Sequence, residues 1–186
     1  MSEQETALVL VDVTNSFFLE GMPNNYPAAA EVVEPLRRLL AAARGAGRIV
    51  VHAVERHYPG FEDYEWRKLP RHHFLGDLDQ RIFAGFEPQG AREVLIGKRR
   101  YSAFFATDLA LFLHEQNVRR VVLAGVKTNV CIRASAQDAF ANGFDVVVPR
   151  EATNSNRPHL AEASLEDIER YIGAVVPLDS ALEMLA

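Results

Sequence analysis

A strand, a helix and a second strand follow one another in the stretch VVLAGVKTNVCIRASAQDAFANGFDVVV, residues 121–148. The apolar run at 121–124 predicts a buried strand, and a helical segment that begins near residue 129 follows it almost at once. Gly143 is placed to end that helix, and the apolar residues at 145–148 predict the next strand. A strand, a crossover helix and a second strand make a βαβ unit, in which the two strands run parallel.

The same alternation of strands and helices continues outward from this unit in both directions. Apolar runs predict further strands at 7–13, 48–54, 94–96 and 174–176. Helical spacing or capping residues predict helices at 32–43, 107–114 and 164–171. Six strands that alternate with helices predict an α/β fold with a mostly parallel sheet and helices on both faces. We expect one domain over residues 1–186, because this length is close to that of a usual single domain.

Composition and charge indicate an ordinary globular protein and narrow its partners. Of the 186 residues, 48% are hydrophobic and 24% are charged, a balance that excludes a disordered chain. The net charge of −5 and the lack of a basic cluster argue against nucleic acid or an anionic membrane surface as a partner. No apolar run approaches the roughly 20 residues of a membrane span. The acidic start at 1–5 is unlike a secretory signal, and the single cysteine allows no internal disulfide, so we expect a cytoplasmic protein.

Three chemically capable side chains are expected at one edge of the sheet. Functional groups of parallel sheets collect beyond the carboxyl ends of the strands. Asp12 lies at the end of the first strand, and Lys98 and Cys131 follow the third and fourth. Each residue also has a simpler interpretation. Asp12 would then cap a turn, Lys98 would belong to a solvated basic turn, and Cys131 would be a small buried hydrophobic residue. Taken together, the three predict an acid, a cation and a thiol that move a proton from nucleophile to leaving group.

Cys131 has the position of a nucleophile in the predicted βαβ unit. A thiol in the first turn of a helix lies at the positive end of the helix dipole, which favours the thiolate near neutral pH. Backbone N–H groups of such a turn lack helical partners and point outward, where they can bind a developing oxyanion. The turn after the fourth strand therefore predicts both a reactive sulfur and the donors that its reaction requires.

Three blocks of this sequence resemble those of one enzyme family. They are DVTNSF at 12–17, KRRYSAF at 98–104 and GVKTNVC at 125–131. In order, spacing and context the blocks are similar to those of the isochorismatase-like cysteine hydrolases, a family that includes nicotinamidases, N-carbamoylsarcosine amidohydrolases, ureide hydrolases and isochorismatases. The resemblance covers residues 6–176. It implies a Rossmann-like three-layer α/β/α sandwich, a catalytic triad of Asp12, Lys98 and Cys131, and assembly as a homodimer or homotetramer.

The resemblance also implies the surroundings of the triad. A cis peptide between Val126 and Lys127 would direct the backbone N–H groups of Lys127 and Cys131 into one oxyanion hole. The substrate-binding residues that it implies are Asn15, Phe17, Trp66, Tyr101 and Val130. Asn15 has the alternative of a turn residue, and Trp66 that of a core aromatic residue.

This sequence departs from the usual residues of the family at several positions. Gln, Asp and a small or apolar residue are usual at the positions where this chain has Thr14, Ser16 and Lys127, respectively. None of these changes removes a member of the triad. Nicotinamidases hold a metal with Asp-x-His and a later His, for which Glu55, His57 and His72 are the matching residues. Because Glu55 departs from that pattern, we expect no metal and no other cofactor. The alternative is a zinc-type site made by these three residues.

The sequence thus predicts a hydrolase of non-peptide C–N bonds that cleaves a small amide or carbamoyl compound through a thioester on Cys131. The long irregular segment 55–90 predicts a lid that sets substrate choice. Two alternatives stay open. One is an isochorismatase-type hydrolase of a vinyl ether, against which Cys131 argues, and the other is a non-catalytic member whose cavity only binds a ligand.

Overall fold

A seven-stranded sheet is the centre of the computed structural model, which describes residues 5–186. The strands are β1 (Glu5–Val11), β2 (Ile49–Glu55), β3 (Glu93–Lys98), β4 (Val118–Val126), β5 (Asp145–Pro149), β6 (Thr153–Asn154) and β7 (Ala174–Val176). Six of these strands stand in the order β3-β2-β1-β4-β5-β7, and the short β6 pairs with β4. Every one of these pairings is parallel. The prediction of a mostly parallel sheet of six strands is confirmed, with β6 as a short addition.

Helices cover both faces of the sheet and complete three layers. They are α1 (Asn15–Phe18), α2 (Val33–Gly45), α3 (Leu109–Glu115), α4 (Arg133–Ala141), α5 (Pro158–Tyr171) and α6 (Leu178–Leu185). Successive side chains of β1 point to opposite faces of the sheet. Ala7, Val9 and Val11 pack in the core that α3, α4 and α5 cover. Leu8 and Leu10 pack in the core under α2 and α6, so a strand buried on both faces is apolar throughout.

Some elements differ from those that the sequence predicts. The helix predicted from a capping motif at Ser164 begins at Pro158, and the Ser164 hydroxyl donates to the Leu160 carbonyl inside the helix at 2.7 Å. A serine that bonds back along its own helix is not a cap. Strand β3 extends to Lys98, which the sequence places just beyond it. The short elements α1, β6 and α6 are not predicted from the sequence at all.

The order of the strands reverses between β1 and β4. From β1 the chain proceeds through β2 to β3 at one edge, and from β4 it proceeds through β5 to β7 at the other. Ligands of open parallel sheets bind in the crevice at such a switch point, beyond the carboxyl ends of the strands. Asp12 after β1 and the turn after β4 therefore face one crevice.

Gly125 allows the ends of β1 and β4 to approach each other at this crevice. Its φ of 123° lies in the region that favours glycine, and a Cβ atom there would overlap the carbonyl oxygen of Val11. We expect Gly125→Ala to lower the free energy of unfolding by about 3 kcal/mol or more. The control is Gly143→Ala, where φ is also positive, at 84°, but no atom lies within 4 Å. Urea unfolding of both variants measures the difference, and equal losses would contradict the steric explanation.

The segment between β2 and β3 is irregular apart from one 3₁₀ turn at Tyr64–Arg67. An isolated bridge between Thr14 and Ile82 joins it to the residues that follow β1, and a bridge between His57 and Phe74 lies within the segment itself. Asp63 strengthens this attachment, because its carboxylate accepts hydrogen bonds from the side chains of two arginines that follow β3. The segment thus covers the edge of the sheet that holds the crevice.

Residues 1–4, whose acidic character argues against a secretory signal, lie outside the described residues. Within residues 5–186, no helix has the length and the apolar composition that a membrane crossing requires. The fold therefore agrees with the lack of an apolar run of that length in the sequence.

Candidate active site

Asp12, Lys98 and Cys131 lie in mutual contact at the bottom of the crevice. The Lys98 ammonium is 2.8 Å from Oδ2 of Asp12 and 3.7 Å from Sγ of Cys131. A carboxylate oxygen of Asp12 and the Cys131 sulfur lie within 4.8 Å of each other. All three residues are at most 3% exposed. The structure thus brings together the acid, the cation and the thiol that the sequence places at or just beyond the ends of three different strands.

The backbone holds Asp12 in an unusual conformation that directs its carboxylate to the other two groups. Its φ is 54°, in the left-handed region that residues other than glycine rarely adopt. Oδ1 accepts a hydrogen bond from the Glu55 N–H at 2.9 Å. Oδ2 is not aligned for a hydrogen bond with any described donor, so its contact with Lys98 is that of an ion pair. One oxygen is therefore fixed by the backbone while the other remains able to accept a proton.

Lys98 reaches Asp12 from the edge strand. It is the last residue of β3 and is paired with Glu55 at the end of β2, so its side chain extends across β2 toward β1. The ammonium donates to the Arg100 carbonyl at 3.3 Å and lies 3.8 Å from Oε2 of Glu55. Two carboxylates thus surround one buried cation, which compensates for the loss of its hydration.

Cys131 lies in a π-helical turn, Thr128–Ile132, that precedes α4. The sequence predicts an ordinary α-helix here, but the N–H of Ile132 bonds back to the Lys127 carbonyl, which widens the turn. The peptide bond between Val126 and Lys127 is cis. The backbone therefore turns sharply between the end of β4 and the sulfur, at the position where the family resemblance implies an oxyanion hole.

Burial dominates the ionisation of the three groups. Burial raises the pKa of the Cys131 thiol well above its usual range, and Lys98 only partly opposes this effect. Burial thus opposes the resting thiolate that the position of Cys131 at a helix start predicts, because loss of hydration disfavours the charged form. Burial also raises the pKa of Asp12, again with Lys98 in opposition. For Lys98, burial disfavours the charge, but Asp12 and Cys131 outweigh it and raise the pKa, so the lysine stays protonated.

A cavity of about 440 Å³ opens above the Cys131 sulfur. Its wall includes Phe17, Tyr101 and Val130, as the sequence analysis expects of the substrate site. Further lining residues, which that analysis does not single out as cavity residues, are Asn24, Leu69, Asn129, Arg133, Ala134 and the side chain of Lys127. The volume suits a small molecule and lies near the lower end of the range of volumes found for ligand sites in proteins.

Asn15 and Trp66 lie elsewhere, which corrects their assignment to this cavity. The side-chain amide of Asn15 donates to the Leu78 carbonyl at 3.0 Å and so ties the irregular segment to the sheet. The Trp66 ring packs 5.5 Å from the His57 ring and 5.3 Å from the Phe74 ring. Asn15 therefore joins the irregular segment to the sheet, and Trp66 packs within that segment, outside the two hydrophobic cores of the sheet.

A second buried cluster lies beside the cavity and contains the three residues that match the nicotinamidase metal pattern. Oε1 of Glu55 is 3.1 Å from Nε2 of His57 and 3.3 Å from Nε2 of His72. Glu65, which the sequence analysis missed, places a carboxylate oxygen 3.7 Å from Nε2 of His57. One donor atom from each of the four residues lies within 4.8 Å of the others. Glu65 carries no recognisable spacing signal, since only the fold brings it to the histidines.

The donors of this cluster fit a divalent transition metal. The outward-facing nitrogen of each imidazole has a polar neighbour. Nδ1 of His57 lies 3.0 Å from an Asp63 carboxylate oxygen, and Nδ1 of His72 donates to the Pro70 carbonyl at 2.7 Å. Such outer partners hold metal-binding histidines in place. Neither Glu65 carboxylate oxygen has a hydrogen-bond partner within residues 5–186, and burial raises the pKa of Glu65 to about 8. Two imidazoles and two carboxylates are a donor set that zinc accepts.

Comparison with known proteins agrees with this geometry. A model of the isochorismatase domain matches residues 6–180. The chain belongs to the isochorismatase family. A maleamate amidohydrolase from Pseudomonas putida is 39% identical to this family member over 187 residues, which cover 98% of this chain and 87% of that protein.

Solved structures of the isochorismatase type have the same fold. A nicotinamidase from Bacillus subtilis is 30% identical with a TM-score of 0.88, covering 94% of this chain and all of that one. A pyrazinamidase from Pyrococcus horikoshii, determined in complex with zinc, is 26% identical with a TM-score of 0.84, over 93% of this chain and 99% of that one. The resemblance inferred from the three sequence blocks is thus confirmed. The relative named maleamate amidohydrolase belongs to the enzyme class that the sequence predicts, a hydrolase of non-peptide C–N bonds.

Proposed function

We propose that this isochorismatase-family chain is a cysteine amidohydrolase that cleaves the C–N bond of a small amide or carbamoyl compound. The observation that carries the proposal is the closed arrangement of Asp12, Lys98 and Cys131 under a cavity in which the sulfur is at the floor. A buried acid that contacts a buried cation beside a thiol has no evident structural purpose, since apolar residues would stabilise such a site better. Perturbed ionisable groups in a cavity are typical of catalysis.

In the proposed reaction, Asp12 acts as base and then as acid. Its carboxylate takes the thiol proton as the Cys131 sulfur attacks the carbonyl carbon of the substrate. The N–H groups of Lys127 and Cys131 donate to the resulting oxyanion. When the C–N bond breaks, Asp12 gives its proton to the departing nitrogen and a thioester remains. Water then attacks the thioester, Asp12 takes a proton from that water and returns one to the sulfur, and the acid leaves.

Lys98 has an electrostatic role in this scheme. Its ammonium contacts both the group that accepts the proton and the sulfur that loses it, so it stays close to the negative charge throughout the step. The raised pKa of the thiol supports a resting state with a neutral cysteine. The proton therefore moves during attack, when the carbonyl of the substrate is already in place.

The similarity to a maleamate amidohydrolase suggests the first substrates to test. We expect ammonia release from at least one member of a panel of maleamate, succinamate, nicotinamide and N-carbamoyl amino acids. Iodoacetamide, which alkylates the single cysteine, should abolish that release. Binding of panel members without any product would favour the non-catalytic alternative. Release that is insensitive to alkylation would exclude the cysteine mechanism.

Glu55, His57, Glu65 and His72 would hold a divalent metal in this enzyme. This proposal replaces the expectation of a metal-free protein, because the structure adds Glu65 as a fourth donor. When bound, such an ion supplies a Lewis acid beside the cavity. Glu55 also lies next to Lys98, so this cluster and the triad share one residue.

We expect the purified protein to bind about one equivalent of zinc or a similar metal. Glu65→Gln should weaken binding at least about tenfold, because it removes a charged donor. The matched control is Glu62→Gln, which changes an exposed glutamate that pairs with Arg71 outside the cluster. Calorimetric titration of the chelator-treated proteins with Zn²⁺ measures both affinities. An untreated protein without metal that also fails to bind Zn²⁺ would contradict the assignment.

A homodimer or homotetramer and a cytoplasmic location stay predictions from the sequence. Sedimentation of the purified chain tests the first of them. The cavity and the triad described above belong to one chain, so the proposed reaction does not depend on which assembly is found.

A further inference from the structure

We propose that the side chain of Lys127 binds a carboxylate of the substrate, so that the substrates are short amides with a second, ionised carboxyl group. This inference rests on the function proposed above and adds the substrate class to it. The backbone of Lys127 has its own role as an oxyanion donor, which any residue could perform. The side chain is therefore free to take a separate part in recognition.

Lys127 places a cation in the wall of the catalytic cavity. Lys127 lines the same cavity as Cys131 and Phe17. The ammonium stands over two aromatic faces, 5.7 Å from the ring centre of Phe17 and 5.4 Å from that of Tyr26. These contacts hold the charge in position and shield it from water.

This cation has no carboxylate partner in the described part of the chain. Its ionisable neighbours are the Cys131 thiol, which is neutral at rest, and the guanidinium of Arg157, and no ion pair within residues 5–186 includes Lys127. Burial lowers the pKa of Lys127, and Arg157 lowers it further. A partly buried charge without a counterion is unfavourable, and a bound anion would remove that cost.

The other charges of the cavity are already compensated. Arg133 also lines the wall, but its guanidinium is 3.1 Å from the Asp167 carboxylate. Glu55, the lining carboxylate, contacts Lys98 and two histidines. The uncompensated charge of the lining residues is thus the positive charge of Lys127, which favours an anionic ligand over a neutral one.

The sequence also shows that a lysine at position 127 departs from the residue type that is usual in the family. In the block GVKTNVC, the family resemblance leads us to expect a small or apolar residue at 127. A small residue would supply the same backbone N–H without narrowing the cavity. The charge must therefore provide something other than the oxyanion hole, and its position beside the cavity that Cys131 lines makes substrate recognition the function that the geometry supports.

Two matched amides test the proposal by turnover. Succinamate and butanamide have the same number of carbons and differ in the terminal carboxylate. Replacement of Lys127 by methionine should lower the ratio of their kcat/KM values about 30-fold, through KM of the anion, which is the loss expected for a charge-assisted contact. Lys127→Arg should keep most of the ratio, and Lys68→Met, which removes an exposed lysine, should leave it as in the wild type. An unchanged ratio in Lys127→Met would overturn the proposal.

Alkylation of the single cysteine provides a test that does not require turnover. Iodoacetate and iodoacetamide differ mainly in charge, and mass spectrometry reports their reaction with Cys131 without interference. In the wild type, the rate ratio of iodoacetate to iodoacetamide should exceed that of free N-acetylcysteine, and Lys127→Met should lose this excess while Lys127→Arg keeps it. If no amide is hydrolysed, the proposed function fails, but this ratio still decides on the anion site. Equal ratios in the wild type and Lys127→Met would refute that site.

Discussion

Replacement of Cys131 by alanine is expected to lower kcat at least about 1,000-fold, because the thioester cannot form without the sulfur. The residue is 3% exposed and packs among apolar side chains, so alanine fits the same space. The fold should therefore survive, with a small loss of stability from the missing sulfur. Ammonia release from the best amide of the panel measures kcat, and urea unfolding checks that the variant is folded.

Cys131→Ser is the matched control for this result. Serine keeps a polar atom at nearly the same position, but its hydroxyl is a much weaker nucleophile than a thiol. We expect both variants to bind the substrate with an affinity close to the KM of the wild type, as calorimetry would show. Near-normal turnover in either variant would mean that the sulfur does not take part in the reaction.

Asp12→Asn is expected to slow turnover of the substrate and to speed alkylation of Cys131. Turnover should fall about 100- to 10,000-fold, because asparagine can neither take the thiol proton nor give one to the leaving nitrogen. Alkylation of Cys131 by iodoacetamide at neutral pH should become faster. The negative charge of Asp12 raises the pKa of the thiol, and Lys98 lowers it. Removal of the acid therefore leaves the lysine to stabilise the thiolate.

The pH dependence follows from the same charges. Burial raises the pKa of Asp12, so activity should fall on acidification at a higher pH than an exposed aspartate would give, because protonated Asp12 cannot act as base. The pH profile of kcat/KM for the best amide of the panel measures where this acidic limb lies. The control Asp79→Asn changes another buried aspartate, which accepts a hydrogen bond from the His73 N–H, and should keep turnover within a factor of about three. Slower alkylation in Asp12→Asn would contradict the proposed charge balance.

The fold could be predicted largely from the sequence because its core strands are continuous apolar runs. β1, β2, β4 and β5 are buried on both faces, and their boundaries differ from the prediction by a few residues at most ends. The start of α5 could not be predicted, because Ser164 has the pattern of a cap but a different partner. The short elements β6 and α6 could not be predicted from hydrophobic periodicity, because they depend on packing between distant parts of the chain.

The triad could be predicted from its place at the strand ends, together with the family resemblance. Its ionisation could not, because the burial that keeps the thiol neutral arises only in the folded chain. Glu65 reaches the histidines through the 3₁₀ turn of an irregular segment, which has no sequence period to follow. The position of Trp66 could not be predicted either. An aromatic residue in a loop can line a cavity or pack under the loop, and the sequence does not distinguish these two positions.

The measurement that tests the central claim most directly is the mass of the enzyme during turnover. Wild-type protein is mixed with the amide that it hydrolyses fastest, quenched in acid at successive times and analysed by mass spectrometry before and after proteolysis. We predict an adduct with the mass of the acyl group on the peptide that contains Cys131, formed together with the first ammonia and lost as the acid appears. Steady ammonia release with Cys131 unmodified at every quench time, or an adduct on another residue, would contradict the thioester mechanism.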